Sequence, residues 1–183
     1  MEAIAAYRPF RITQEREREA DYKIFIVEDS AAAGALLAHY LERLPRCKDQ
    51  SKPRCEIHTF ESGEECLKHL YLHPDIIVLD YFLDEKNESA MDGLAILRRV
   101  KKESPSTEVI MMSGQQEVMV VAELFNNGIR EYISKEHACH VRVEEAVLRI
   151  FEEKRHRKRR QNQMIIGGVL CFIAGLILGG WFV

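Results

Sequence analysis

From Lys23 onward the chain keeps exchanging one hydrophobic period for another, and few architectures accept that pattern. Short apolar runs at 24–27, 56–60, 76–79, 109–112 and 131–133 alternate with segments whose apolar residues return at helical spacing. Those segments carry Ala35/Leu36/Leu37/Tyr40/Leu41/Leu44, then Cys66/Leu67/Leu70, then 93–100, then Val118/Val121/Ala122/Phe125, and last Val143/Val147/Ile150/Phe151. Strand and helix in strict alternation predict an α/β fold, a doubly wound five-stranded parallel sheet. The runs at 24–27 and 76–79 are continuously apolar, as strands are when helices cover both faces of a sheet. The punctuation agrees. Ser62 followed by Glu65 is a capping box, Asn126-Asn127-Gly128 is a left-handed helix stop, and Pro45, Pro74 and Pro105 fall between elements.

Charge divides the chain unevenly. No Asp or Glu follows Glu153, so residues 1–153 set all 29 acids against 20 of the 26 Lys/Arg, a net of −9. The other six basic residues lie in 154–160, which reads KRHRKRR. Residues 164–183 then contain no charged side chain. At about 1.5 Å per residue, 20 helical residues cover roughly 30 Å, the hydrocarbon thickness of a bilayer. A C-terminal transmembrane helix is therefore expected, with the basic run on the cytoplasmic side and Trp181 at the far interface. The N-terminus has no signal-peptide pattern, so the body is expected in the cytoplasm of a bacterial cell, tethered to its inner membrane by a single pass. Position favours anionic lipid over nucleic acid as the partner of KRHRKRR. Gly167, Cys171, Gly175 and Gly179 recur every four residues, a small-residue face on which two copies could pair as a homodimer.

Four divisions follow: an extension at 1–22, a globular domain at 23–152, a basic juxtamembrane linker at 153–163 and the membrane helix at 164–183. Cys47, Cys55, Cys66, Cys139 and Cys171 form no CxxC pair, and a cytoplasmic body would keep them reduced. His137, Cys139 and His140 are metal-ligand types too closely spaced to converge on one ion, and a polar loop is expected there.

The chemistry stands where the strands end. The first apolar run is followed by Glu28 and Asp29, the third by Asp80, the fourth by Ser113 and Gly114, and the fifth by Ser134 and Lys135. A doubly wound sheet brings these ends to one crevice. Carboxylates so close raise one another's pKa unless a cation offsets them, and a hard divalent ion with oxygen ligands would do so.

On these residues, together with Met91, Asp92 and Gly93 and with Tyr132, the segment 23–152 resembles the receiver domain of two-component response regulators. The resemblance is to single-domain, chemotaxis-type receivers with the flavodoxin-like strand order 2-1-3-4-5. It implies that Asp80 accepts a phosphoryl group from a histidine kinase or phosphotransfer protein. It further implies Mg²⁺ held by Asp29, Asp80 and the Phe82 carbonyl with Glu28 acting through water, Ser113 and Lys135 on the phosphoryl oxygens, and Tyr132 moving with activation. Two departures stand out: Glu136 follows Lys135 where the family usually has proline, and 83–90 is longer and more acidic than the usual turn. With no second globular domain expected, output would be a protein–protein contact, and the chain would not be an enzyme beyond assisting its own phosphoryl transfer and hydrolysis. The rival readings are a phosphorylation-independent membrane scaffold and a haloacid-dehalogenase-type phosphatase. The latter wants a second Asp two residues past the nucleophile, where Phe82 stands.

Overall fold

The computed structural model describes residues 20–44, 53–83, 91–114, 118–136 and 138–179, without the side chains of 118–119 and 169–179. Five parallel strands, β1 (Tyr22–Val27), β2 (Cys55–Phe60), β3 (Ile76–Asp80), β4 (Glu108–Ser113) and β5 (Glu131–Ser134), lie in the order β2-β1-β3-β4-β5. Helices α1 (Ala31–Glu42), α2 (Gly63–Lys68), α3 (Gly93–Glu103), α4 (Val118–Asn126) and α5 (Cys139–Gly179) connect and cover them. This is the flavodoxin-like order expected, with its switch point between β1 and β3.

Each central strand feeds two cores, because successive side chains leave a strand on opposite faces. Ile24, Ile26, Ile76, Val78 and Ile110 pack with Leu37 and Leu41 of α1 and with Val143, Val147, Ile150 and Phe151 of α5. Phe25, Val27, Ile77, Leu79, Val109 and Met111 pack instead with Cys66, Ile96, Leu97, Val100 and Leu124 from α2, α3 and α4. The unbroken apolar runs of β1 and β3 are explained by this two-sided burial.

The cap expected at Ser62 forms, and two more join it at Ser30 and Asp92. Ser30, Ser62 and Asp92 accept hydrogen bonds from Ala33, Glu65 and Ala95 backbone N–H groups at 3.4, 3.2 and 2.7 Å. Gly128 takes φ +88° after α4, as the Asn-Asn-Gly stop requires. Helix α2 is shorter than its apolar spacing promises: a 3-10 turn at Leu70–Leu72 ends it, with His73 at φ +54° before Pro74. Two helical faces also differ from the periodicity. Leu36 and Phe125 are 56% and 52% exposed, while Gly34, Leu37, Leu41 and Leu124 are buried. Both helices are apolar nearly all round, so spacing alone leaves their rotation open, and contact with the sheet decides it.

Residues 153–163, expected as a linker, belong to α5, which runs unbroken from the domain to Gly179. Tyr22 seats the helix on the sheet: its ring stacks on Phe151 at 3.8 Å, and its hydroxyl donates to the Phe151 carbonyl at 3.2 Å. Among the described residues no helix is long and apolar enough to cross a membrane. The side chains of 169–179 and all of 180–183 lie outside the described residues, and with them most of the expected anchor, Trp181 and the pairing face beyond Gly167. Extension residues 1–19, Pro45, Cys47, the insertion at 84–90 and His137 lie outside them too. Among the described residues Cys55, Cys66 and Cys139 form no disulfide with one another.

Candidate functional site

Asp80 and Ser113 turn out to be the last residues of their strands rather than the first beyond them, and both are buried, at 5% and 2% exposure. The ladder fixes their relation: Asp80 stands opposite Met112, and Tyr81 N–H donates to the Met112 carbonyl at 2.8 Å. Ser113 is paired with Ser134 in β5, and the next backbone N–H, that of Lys135, donates to the Ser113 carbonyl at 2.8 Å. Thus β3, β4 and β5 deliver Asp80, Ser113 and Lys135 side by side. On the other side of β3, β1 ends at Val27, and Glu28 N–H donates to the Phe60 carbonyl at 3.0 Å before Ser30 opens α1.

The result is a cluster of three carboxylates. Oxygens of Glu28, Asp29 and Asp80 lie within 4.8 Å of one another. Lys135 answers them: its Nζ lies 2.6 Å from Asp80 Oδ2 and 2.7 Å from Glu28 Oε2. The other oxygen, Asp80 Oδ1, accepts from the Phe82 N–H at 3.3 Å. Burial still pushes the Asp80 carboxyl up to about 6, against the pull of Lys135 and with help from the Glu28 charge. Burial pulls the Lys135 ammonium down, yet its bonds to Asp80 and Glu28 prevail and leave it above the usual lysine range. At neutral pH Asp80 is therefore mostly ionised and Lys135 fully charged.

Tyr132 is half-buried beside Met111 and packs against the cluster that contains Leu124 of α4. The structure thus places every one of the predicted residues at this edge or in the strand beside it. The peptide bond after Lys135 is trans, and Ala138, at φ +60°, turns the loop into α5.

Three further residues support the site. Glu64 Oε1 accepts from the Met91 N–H at 2.9 Å and so fixes the approach to α3. Arg142 reaches back from α5 to donate to the Ser134 carbonyl at 2.6 Å and braces the strand that carries Lys135. Gly93 donates to the Tyr81 carbonyl at 3.0 Å, and a Cβ on it would stand 2.8 Å from Tyr81 Cα. Only the Gly93 requirement has a legible counterpart, the Met91-Asp92-Gly93 motif.

Oxygen-only donors suit a hard divalent cation. With Mg²⁺–O distances of about 2.0–2.1 Å, two oxygens on one ion stand at most about 4.2 Å apart. Glu28, Asp29 and Asp80, whose oxygens lie within 4.8 Å of one another, are the residues that would hold such an ion, and it would neutralise charge at the Asp80 carboxylate.

An α/β domain of this strand order, with an acid cluster answered by a lysine at the strand ends, belongs to the flavodoxin-like class and carries a candidate cation site at its crevice. Residues 24–144 match the response regulator receiver domain, and the chain belongs to that family. Receiver domains bind Mg²⁺ through an acidic pocket, and Glu28, Asp29 and Asp80 form that pocket here.

Among the relatives, a protein-glutamate methylesterase/protein-glutamine glutaminase of Syntrophus aciditrophicus is 36% identical over 90 residues, 49% of this chain and 22% of that protein. The transcriptional regulatory protein ResD of Bacillus subtilis is 30% identical over 62% of this chain and 41% of its own length. The chain thus spans less than half of either relative. In fold it is similar to the signal receiver domain of a LuxO repressor protein from Vibrio parahaemolyticus, with a TM-score of 0.62 and 20% identity over 75% of this chain and 95% of that one. A receiver domain from Clostridium thermocellum gives a TM-score of 0.60 and 20% identity, covering 73% and 97% of the two chains.

Proposed function

We propose that this chain is a membrane-tethered receiver that accepts a phosphoryl group on Asp80 from a histidine kinase or phosphotransfer protein and signals by protein–protein contact. One observation carries the reading: the Lys135 ammonium bridges Asp80 and Glu28 at 2.6 and 2.7 Å at the buried end of β3. A carboxylate is a weak nucleophile, so transfer depends on alignment and on neutralised oxygens. Asp80, ionised at neutral pH, forms the new P–O bond while the donor's bond to phosphorus breaks. Its Phe82 N–H contact orients the carboxylate. Ser113 donates its hydroxyl to one phosphoryl oxygen, and Lys135 turns from Glu28 to another. Mg²⁺, held by Asp29, Asp80 and the Phe82 carbonyl with Glu28 through water, would neutralise the remaining charge. Tyr132 then shifts against α4, and the surface it borders becomes the signal.

The tether rests on α5. Met164, Ile165 and Ile166 are 71%, 57% and 59% exposed where the uncharged run begins, and the helix continues to Gly179. A helix that leaves its domain with bare apolar side chains needs a cover, and lipid at the inner face of a bacterial cell membrane provides one. The receiver would then sit in the cytoplasm, with homodimer pairing through the glycine face and no nucleic-acid partner.

Acetyl phosphate with Mg²⁺ should add one phosphate to the intact chain by mass spectrometry, and Asp80→Asn or EDTA should abolish the adduct. An adduct that persists in Asp80→Asn overturns the assignment.

A further inference from the structure

Lys135 hangs from a peptide group that is held on both sides. The amide N–H of Lys135 donates to the Ser113 carbonyl at 2.8 Å, and the carbonyl of the same peptide group, that of Ser134, accepts from Arg142 Nη2 at 2.6 Å. The first tie comes from β4 and the second from α5. β5 depends on the second because it spans only Glu131–Ser134 and, among the described residues, lies at the edge of the sheet with β4 as its one neighbouring strand.

The loop beyond Lys135 is a weak anchor by itself. Cys139 N–H donates to the Glu136 carbonyl at 3.2 Å and Val141 N–H to that of Ala138 at 3.1 Å, both bonds local to the turn. Ala138 sits at φ +60°, a conformation an alanine keeps only where its surroundings impose it. Arg142 is also poorly placed for a mere surface charge. It is the fourth residue of α5, whose first turn holds no acid, and the positive end of a helix dipole disfavours a cation. A guanidinium donating at 2.6 Å makes a charge-assisted hydrogen bond, the strong kind, which offsets that placement.

We propose that Arg142 is a positioning residue: by tying the Ser134–Lys135 peptide to α5 it stands the Lys135 ammonium between Asp80 and Glu28, and so sets the cation that a transferred phosphoryl group meets. Its part in transfer rests on Asp80 as the phosphoacceptor, whereas the placement of Lys135 does not. Lys135 Nζ reaches Asp80 Oδ2 at 2.6 Å and Glu28 Oε2 at 2.7 Å, and a side chain with four rotatable bonds keeps two such contacts only if its backbone is fixed. Misplacing such a group by about 1 Å costs up to about a hundredfold in rate.

The test reads two signals in the full chain. In EDTA, hydrogen bonds to carboxylates slow the exchange of the Lys135 ammonium protons with water, which NMR measures. Arg142→Met should speed that exchange about tenfold, the size of effect one charge-assisted bond supports, and Arg142→Lys, which keeps a cationic donor, should restore most of the slowing. Arg149→Met, which cuts a different tie from α5 to Glu131 of β5, should change it less than about twofold. With Mg²⁺ and acetyl phosphate, Arg142→Met should lower the maximal rate of phosphate uptake about tenfold and leave the apparent KM within about twofold. In a Lys135→Met background the same substitution should slow uptake less than about twofold further, because the arginine acts through that lysine. Unchanged exchange in Arg142→Met, an equal effect of Arg149→Met, or an undiminished Arg142→Met effect without Lys135 overturns the positioning role. A natural chain that takes up no phosphate refutes Asp80 as acceptor, and the exchange of the Lys135 ammonium still decides whether Arg142 places it.

Discussion

Lys135 and Asp80 are two strands apart in the sheet, yet Lys135 Nζ lies 2.6 Å from Asp80 Oδ2. The contact holds because β4 hands the Ser113 carbonyl to the Lys135 N–H, which sets the start of the lysine side chain above the end of β3. Everything the site does electrostatically follows from it: one cation, 28% exposed, faces two carboxylates that are 5% and 11% exposed.

Removing that cation should therefore be felt in stability and in signalling. Lys135→Met leaves Asp80 and Glu28 without their ammonium and should lower unfolding free energy near pH 7 by about 1–3 kcal/mol in EDTA. Added Mg²⁺ should recover part of the loss, and urea denaturation measures both. The variant should still take up phosphate, but hydrogen exchange around Tyr132 should no longer respond to it. Ser113→Ala should blunt the same response, and an undiminished response in both variants contradicts the coupling.

Asp80 also gives the domain a pH dependence. Burial raises its carboxyl from 3.8 to about 6, so the folded state binds that proton more tightly than the unfolded chain. The stability this contributes is full below about pH 4 and is lost as pH rises through about 6. Asp80→Asn, which carries no charge at any pH, should be about 1–3 kcal/mol more stable than the natural chain at pH 7 without divalent cations. The difference should vanish by pH 4. Denaturation midpoints across that range decide it, and a gap that widens toward low pH reverses the sign.

Gly93→Ala places a methyl group 2.8 Å from Tyr81 Cα, 3.1 Å from its carbonyl oxygen and 3.2 Å from that of Asp80, all backbone atoms that cannot swing aside. Helix α3 must then retreat from the end of β3. A loss of about 1–3 kcal/mol is expected, with slower uptake of phosphate from acetyl phosphate than in Asp92→Ala, which removes the cap without adding bulk. Equal rates in the two variants would place the sensitivity in the cap.

Tethering is read by fractionation. Full-length protein should stay with membranes through a carbonate wash, and Ile165→Glu with Ile166→Glu should shift it toward the soluble fraction by making the start of the apolar run polar. Recovery of the natural chain in the soluble fraction refutes the tether.

The sequence by itself determined the order of elements, the two-faced burial of β1 and β3, the cap at Ser62, the stop at Gly128, and the identity of the acids and the lysine at the strand ends. All of these are written in local periods and local residue chemistry, which a chain displays without being folded. Tertiary structure alone decided which faces of α1 and α4 meet the sheet, since both helices are apolar nearly all round. It alone bent Glu64 to the Met91 N–H and Arg142 to the Ser134 carbonyl. It alone joined 153–163 to α5 and laid the basic face of that helix over Asp21 and Asp75. Such arrangements depend on how elements meet in space, and no spacing rule reaches them. They exist because parallel crossovers return distant segments to a common edge, where sheet register and close packing choose which side chains meet.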